Sequence, residues 1–181
     1  EEKNKAWQTV SSKYLFRRPW LTVRCEDMLL PNGNHIPEYY ILEYPDWVNT
    51  IAITKEGKFV FVRQYRPGIG RTCYELCAGV CEKEDVSPLV SAQRELWEET
   101  GYGNGNWQEY MVVSANPSTH TNLTHCFLAT DVELIDHQHL EATEDISVHL
   151  FTLEEVRTLL ENNEIMQSLN AAPLWKYMAS L

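Results

Sequence analysis

The chain has 181 residues, which corresponds to one domain, or one domain with a small addition. Its apolar fraction of 44% is typical of a globular protein, and no apolar run approaches the roughly 18 residues of a membrane helix, so no membrane partner is expected. A net charge of −11 argues against binding to nucleic acid. Five cysteines, an odd number, favour a reducing compartment, and no signal peptide is evident, so we expect a cytoplasmic protein.

The first third of the chain is predicted to form strands. Strands are expected at 20–30 and 38–44, joined by Asn32-Gly33, a dipeptide typical of the type I′ turn, in which both central residues have positive φ. Two further strands are expected at 47–54 and 59–65, joined by a second tight turn. Their continuous apolar runs indicate strands that are covered on both faces.

Helices enter the pattern in the second half of the chain. A helix is predicted over 88–100, with Ser87 as N-cap, Pro88 in the first turn and Gly101 after the last residue. Strands are expected at 110–115, 125–132 and 146–151, followed by helices at 152–161 and 174–181. This pattern predicts the α/β (α+β) class: a mixed sheet with helices packed on it, preceded by an N-terminal antiparallel hairpin region.

Three glutamates lie on one face of the predicted helix over 88–100. Glu95, Glu98 and Glu99 are spaced at i, i+3 and i+4, so their carboxylates repel one another near the end of the helix where the dipole disfavours anions. A bound divalent cation with oxygen ligands, Mg²⁺ or Mn²⁺, would compensate this repulsion. The alternative is a solvated acidic face that is partly neutralised by an ion pair between Arg94 and Glu98.

The residues around these glutamates resemble the Nudix box, G-x5-E-x7-R-E-U-x-E-E-x-G-U, where U is an aliphatic or aromatic residue. Residues 94–102 match the second half of the box at every fixed position, and Gly79 matches its first glycine. The loop between them carries one extra residue, which leaves Glu84 or Asp85 for the position that pairs with the box arginine in the family. The resemblance implies a Nudix-type α/β/α sandwich over 46–181, with 1–45 as an N-terminal hairpin and dimerisation region.

Segments outside the box resemble the ADP-ribose pyrophosphatase branch of this family. They are residues 62–67, residues 74–79 and Pro117, which lies 15 positions after Tyr102 (117 minus 102). The resemblance implies Mg²⁺-dependent hydrolysis of ADP-ribose, or a related nucleoside diphosphate sugar, to AMP and ribose 5-phosphate, with Mn²⁺ as the alternative metal. Two alternatives stay open: another nucleotide sugar or dinucleotide, such as GDP-mannose, as substrate, and a non-catalytic sensor that only binds ADP-ribose.

The same resemblance assigns roles to individual residues. Glu95 and Glu99 would be the principal metal ligands, assisted by Glu98 and the carbonyl group of Ala78. The catalytic group would be Glu144 as general base or extra ligand, Glu98, and Arg94, which orients the carboxylates. The substrate would contact Arg66, Trp20, Tyr39 and Glu141.

Each of these assignments has an ordinary structural alternative. The loop with Glu141 and Glu144 can be an acidic surface loop, and Arg66 a surface residue at a strand end. Trp20 and Tyr39, or Tyr40, are expected to stack on adenine, but aromatic residues in strands more often pack in a core or an interface. The resemblance also implies a homodimer formed through the N-terminal strands.

Overall fold

The computed structural model describes residues 5–181, which form two compact units. One unit comprises the residues up to Pro45 together with Ser114–Asn122, and the other comprises Asp46–Val113 and Leu123–Leu181. In the first unit, the strands β1 (Gln8–Arg18), β2 (Leu21–Leu29) and β3 (His35–Glu43) form an antiparallel sheet in that order.

The N-terminal unit departs from the sequence prediction in two places. β1 was not predicted, because all of its 11 residues are exposed and no apolar alternation marks it. Trp20, expected to begin a strand, instead lies in the turn before β2 with a φ of 65°. The hairpin at Asn32-Gly33 is confirmed, but the type I′ turn is wrong. Only Gly33 has positive φ, and its N–H donates to the carbonyl of Leu30 at 2.9 Å, as in a type I turn closed by a glycine.

The second unit is built on an eight-stranded mixed sheet. Its central path is β11-β5-β4-β10-β8, with β6 paired to β5, β7 to β4 and β9 to β10. β4 and β10 are parallel, and the other paired strands are antiparallel. The strands are β4 (Trp47–Thr54), β5 (Phe59–Arg66), β6 (Arg71–Glu75), β7 (Cys77–Val80), β8 (Tyr102–Gly103), β9 (Asn106–Val113), β10 (Thr124–Leu134) and β11 (Ser147–Phe151).

Three helices complete this unit: α1 (Pro88–Thr100), α2 (Leu153–Glu161) and α3 (Ser168–Met178). The caps of α1 are those predicted, since the side chain of Ser87 accepts from the N–H of Val90 and Gly101 has a φ of 74°. The last helix begins six residues before the expected position 174. It includes Pro173, which removes a single backbone donor while Leu169 and Leu174 pack into the core.

The core lies on both faces of the eight-stranded sheet. On one face, Ile51 and Phe61 pack with residues of α2 and α3, such as Val156 and Leu174. On the other face, residues including Ala52, Val60 and Ala129 pack against Leu96 of α1. The predicted α/β/α sandwich is therefore confirmed, and β4 is covered on both faces as expected. Among the helices of residues 5–181, none combines the length and the apolarity that crossing a membrane requires.

Candidate active site

The Gly79 position on β7 admits the carboxylate of Glu95 from α1. A Cβ atom at residue 79 would lie 2.0 Å from Cδ of Glu95, far inside van der Waals contact. Only glycine therefore allows the helix to bring this carboxylate against the strand. Burial raises the pKa of Glu95 despite the neighbouring charge of Arg94, so its carboxylate lies in a poorly solvated place.

Arg94 holds groups from three separate segments. Its Nη1 donates to both Glu95 and Glu98 at 2.9 Å, and its Nη2 donates to the carbonyl of Val80 at 3.0 Å and to Asp85 at 3.1 Å. Burial would lower the pKa of this guanidinium, but the carboxylates around it raise the pKa. Asp85, rather than Glu84, is thus the loop residue that pairs with the box arginine, as the extra residue in the loop allowed.

The contacts of Arg94 weaken the prediction that a cation is needed to offset repulsion among the three glutamates. Arg94 already neutralises much of the repulsion between Glu95 and Glu98, as the alternative interpretation of the acidic face had it. The oxygens of the three box glutamates also do not all lie within 4.8 Å of one another. The case for a cation therefore rests mainly on Glu99, for which no arginine contact exists within the described residues.

Glu99 is the buried carboxylate of the site, with 5% of its surface exposed. Burial raises its pKa to about 8, although hydrogen bonds from the Cys77 thiol and the Ala78 N–H act in the opposite direction. The Ala78 N–H donates to Oε2 at 3.1 Å. Negative charge on Glu95 and Glu144 raises the pKa further. Within the described residues Glu99 forms no ion pair, and only the more distant charge of Arg66 attracts its ionised form, so a divalent cation would supply the missing counter-charge.

The donor set fits a hard divalent cation. Glu95 and Glu99 offer carboxylate oxygens beside the backbone of β7, and oxygen ligands are those that Mg²⁺ and Mn²⁺ prefer. Glu98, with a third of its side chain exposed, is paired with Arg94 through Oε2, and ligation of a cation by Glu98 stays a prediction. Ala78 contacts Glu99 through its N–H, and ligation by its carbonyl stays a prediction.

The segment after β10 fastens the end of α1 to the acidic loop. The N–H of His139 donates to the carbonyl of Glu98 at 2.8 Å. The side-chain amide of Gln138 donates to the carbonyls of Glu99 at 2.7 Å and Ile146 at 3.1 Å. Gln138 therefore joins the helix that carries the glutamates to the far end of the loop at 139–145.

Glu144 and Glu141 both lie exposed on this loop. The N–H of Glu141 donates to the carboxylate of Glu144 at 2.8 Å, and the N–H of Glu144 donates to the carbonyl of Glu141 at 3.0 Å. The charge of Glu144 reaches Glu99, where it raises the pKa. Of the two loop carboxylates predicted for the site, Glu144 thus interacts with the buried glutamate.

A cavity of about 350 Å³ opens beside β7, lined by residues that include Arg66, Ala78 and Gly79. Arg66 is held by Glu75, which is 2% exposed; its Nε donates to Oε1 at 2.9 Å and its Nη2 to Oε2 at 2.5 Å. The Nη1 of Arg66 makes no hydrogen bond to any residue that the structure describes. A fixed cation with a free donor at a cavity wall suits a phosphate group.

The predicted aromatic contacts belong to the N-terminal unit. Trp20 is 84% exposed in the turn between β1 and β2. Tyr39 on β3 is half-buried, lies edge-on to Trp7 with 5.5 Å between ring centroids, and donates its hydroxyl to the carbonyl of Ser118 at 2.6 Å. Stacking of either ring on adenine stays a prediction.

Two residues of the site were not predicted. Glu75 stands between Tyr74 and Leu76 in a buried stretch, and a carboxylate in such a place signals a partner of opposite charge, which is Arg66. Gln138 acts through backbone carbonyls that are distant in sequence, and no pattern in the sequence indicates such a contact.

Comparison with known proteins agrees with this geometry. The model of the NUDIX domain matches residues 44–171, and the model of the nucleoside diphosphate sugar hydrolase N-terminal domain matches residues 7–42. An ADP-ribose pyrophosphatase of Bacillus subtilis (strain 168) is 31% identical over 165 residues, which cover 91% of this chain and 88% of the relative. A methanol dehydrogenase activator of Bacillus methanolicus is 29% identical over 162 residues, covering 89% and 86%.

A solved structure shows the same fold. The crystal structure of an ADP compounds hydrolase matches with a TM-score of 0.86 and 20% identity, covering 100% of this chain and 97% of the other. The resemblance noted from the box is therefore confirmed. The chain belongs to the NUDIX family, whose members generally use a divalent metal, and is a Nudix pyrophosphohydrolase with the N-terminal domain of nucleoside diphosphate sugar hydrolases.

Proposed function

We propose that this protein hydrolyses the diphosphate bond of ADP-ribose, or of a closely related nucleoside diphosphate sugar, with Mg²⁺ or Mn²⁺ as cofactor. The products would be AMP and ribose 5-phosphate. The observation that carries the proposal is the buried Glu99, which lies with Glu95 against β7, whose residues Ala78 and Gly79 line a cavity that also presents Arg66. The Bacillus subtilis relative, an ADP-ribose pyrophosphatase, supports the choice of substrate.

The residues of the site would have separate roles in the reaction. Glu95 and Glu99 would hold the metal, with Glu98 and the Ala78 carbonyl as further ligands. When bound, the metal would neutralise the diphosphate and lower the pKa of a water molecule. Arg66, fixed by Glu75, would bind a phosphate oxygen through its free Nη1 and keep the phosphorus in place for attack.

Glu144 would act as the general base. A base must lie close to the attacking water, and Glu144 is the exposed loop carboxylate whose charge acts on the buried Glu99. The proton of the water would pass to the carboxylate of Glu144 as its oxygen bonds to phosphorus, and the other phosphate would leave. Arg94 would orient Glu95 and Glu98 from the side.

Phosphate release in a phosphatase-coupled assay tests this function. With Mg²⁺ present, wild-type protein should release AMP from ADP-ribose, and Glu99→Gln should lower turnover by orders of magnitude while the fold survives. Glu154→Gln is the matched control, because Glu154 is an exposed glutamate of α2 whose single ion pair within the described part of the chain is with Arg157, at 3.5 Å. Near-normal turnover of Glu99→Gln would refute the assignment.

The alternatives predict different results in the same assay. Preference for GDP-mannose or a dinucleotide over ADP-ribose would favour the other substrate classes. Tight binding of ADP-ribose with no hydrolysis in Mg²⁺ would favour a sensor. The intact set of Glu95, Glu98 and Glu99 is the reason that we prefer catalysis.

We also propose that residues 1–45 serve as a dimerisation region for a catalytic domain over 46–181. β1 exposes large apolar side chains, among them Val10, Leu15 and Phe16, and a strand of this kind commonly marks a protein interface. Sedimentation equilibrium should give a dimer, and Phe16→Glu should shift it toward monomer.

The cytoplasm remains our proposed compartment, since all five cysteines are free thiols.

A further inference from the structure

Two buried polar atoms of residues that line the cavity have no hydrogen-bond partner within residues 5–181. They are Oδ1 of Asn49 and Oγ1 of Thr124, and each residue is 2% exposed. A buried polar group without a hydrogen-bond partner lowers the stability of the folded protein, so such groups are uncommon. Two such groups in the lining of one cavity point to a bound ligand as their partner.

The sheet register brings these side chains to the same face. In the parallel pairing of β4 with β10, Trp47 is opposite Thr124 and Asn49 is opposite Cys126. Since residues two apart in a strand point to one face, Asn49 and Thr124 share that face. Asn49 also pairs with Ala78 across β4 and β7, so its position is one strand spacing, about 4.8 Å, from the backbone that contacts Glu99.

The chemistry of the two groups defines what they can bind. The amide nitrogen of Asn49 donates to the carbonyl of Leu169 at 2.7 Å, which leaves Oδ1 as the acceptor without a partner among the described residues. The hydroxyl of Thr124 can donate or accept. A ligand hydroxyl satisfies both, because it donates to Asn49 and accepts from Thr124.

The lining of the cavity has one charged part and one uncharged part. Among the described residues that line the cavity, Arg66 is the single charged one, and the others, such as Trp47 and Leu169, are uncharged. One part thus suits an anion and the other a neutral, hydroxyl-bearing group. We propose that Asn49 and Thr124 form a subsite for a sugar hydroxyl of the nucleoside diphosphate sugar, an inference that rests on the proposed function.

If Asn49 and Thr124 form this subsite, removing the hydroxyl of Thr124 should have opposite effects on stability and on substrate recognition. Thr124→Val keeps the shape of the side chain and removes the unsatisfied hydroxyl, so the free protein should be at least as stable toward urea as wild type. The same change should lower kcat/KM for ADP-ribose about tenfold, the effect of losing one hydrogen bond. It should leave kcat/KM unchanged for the methyl ester of ADP, which keeps the diphosphate and lacks the second sugar.

Two variants complete the experiment. Thr124→Ser retains a hydroxyl and should restore the preference for ADP-ribose. Thr50→Val is the matched control, since Thr50 is also buried with an unsatisfied hydroxyl, but it points to the opposite face of β4 and does not line the cavity. It should leave the preference for ADP-ribose over the methyl ester unchanged.

The subsite would be overturned if Thr124→Val lowered kcat/KM equally for both substrates. Loss of stability in the free Thr124→Val protein would also overturn it, since that result indicates a hydroxyl that holds a structural water. If wild-type protein hydrolyses neither substrate, the proposed function fails separately. The subsite is then tested by calorimetric titration of the same variants with ADP-ribose and the methyl ester, where only ADP-ribose should lose affinity in Thr124→Val.

Discussion

Replacing Gly79 by alanine should abolish activity while leaving the fold intact. The new Cβ would lie 2.0 Å from Cδ of Glu95, whereas ordinary contact begins at 3.4 Å, so the carboxylate must move by at least 1.4 Å (3.4 minus 2.0). A misplacement of about 1 Å at a reacting centre can cost about 100-fold in rate. We therefore expect kcat for ADP-ribose to fall at least about 100-fold, or roughly 2.7 kcal/mol in the barrier.

The fold should survive because the clash is with the end of a flexible side chain. The free energy of unfolding should fall by no more than about 3 kcal/mol, the upper end of the usual range for one substitution. Phosphate release at saturating Mg²⁺ and urea unfolding measure the two quantities. Gly68→Ala is the control, since no atom lies within 4 Å of its new Cβ and its φ is not positive. Turnover of Gly79→Ala close to the wild-type value would refute the assignment of Glu95.

Three further predictions follow from charges in the site. In chelator-treated protein the free energy of unfolding should fall as pH rises from about 4.5 to about 8, because the folded state holds the Glu99 proton more tightly than the unfolded chain does. The contribution of Glu99 to this slope should reach at most about 1.4 kcal/mol per pH unit, so the slope should be smaller in Glu99→Gln, as urea unfolding across pH will measure. Glu144→Gln should lower kcat by about 100-fold or more, whereas Glu141→Gln should leave it nearly unchanged; equal losses in steady-state assays would remove Glu144 as the base. Asp85→Asn should lower the free energy of unfolding by about 1–2 kcal/mol, because it removes a charged partner of the box guanidinium. Glu82→Gln, at an exposed pair of 3.9 Å, should change that free energy by less than about 0.5 kcal/mol, and urea denaturation of both variants tests the contrast.

The parts of the fold that depend on local chemistry were predictable from the sequence. The bounds of α1 follow from Ser87 and Gly101, whose capping preferences act within one helical turn. β4 was predictable because its apolar run matches a strand covered on both faces. β1 was not, since every residue in it is exposed and its pairing with β2 leaves no mark in its own composition.

The site was predictable to a similar extent. The carboxylates of α1 follow from spacing, because positions three and four apart share a helix face. Spacing does not indicate that Glu98 pairs with Arg94 while Glu99 is buried, since burial depends on how β7 approaches the helix. The unsatisfied atoms of Asn49 and Thr124 were also beyond sequence reasoning, because a buried amide or hydroxyl ordinarily finds a partner.

The side chain of Gln138 connects the start of the acidic loop to its far end, and these hydrogen bonds bear on which loop residues can vary. With the carbonyls of Glu99 and Ile146 both held by Gln138, the loop residues between Gln138 and Ile146 can vary without releasing the helix. A change confined to exposed positions of the loop, such as Ala142 and Thr143, should therefore leave the helix that carries the box glutamates in its position.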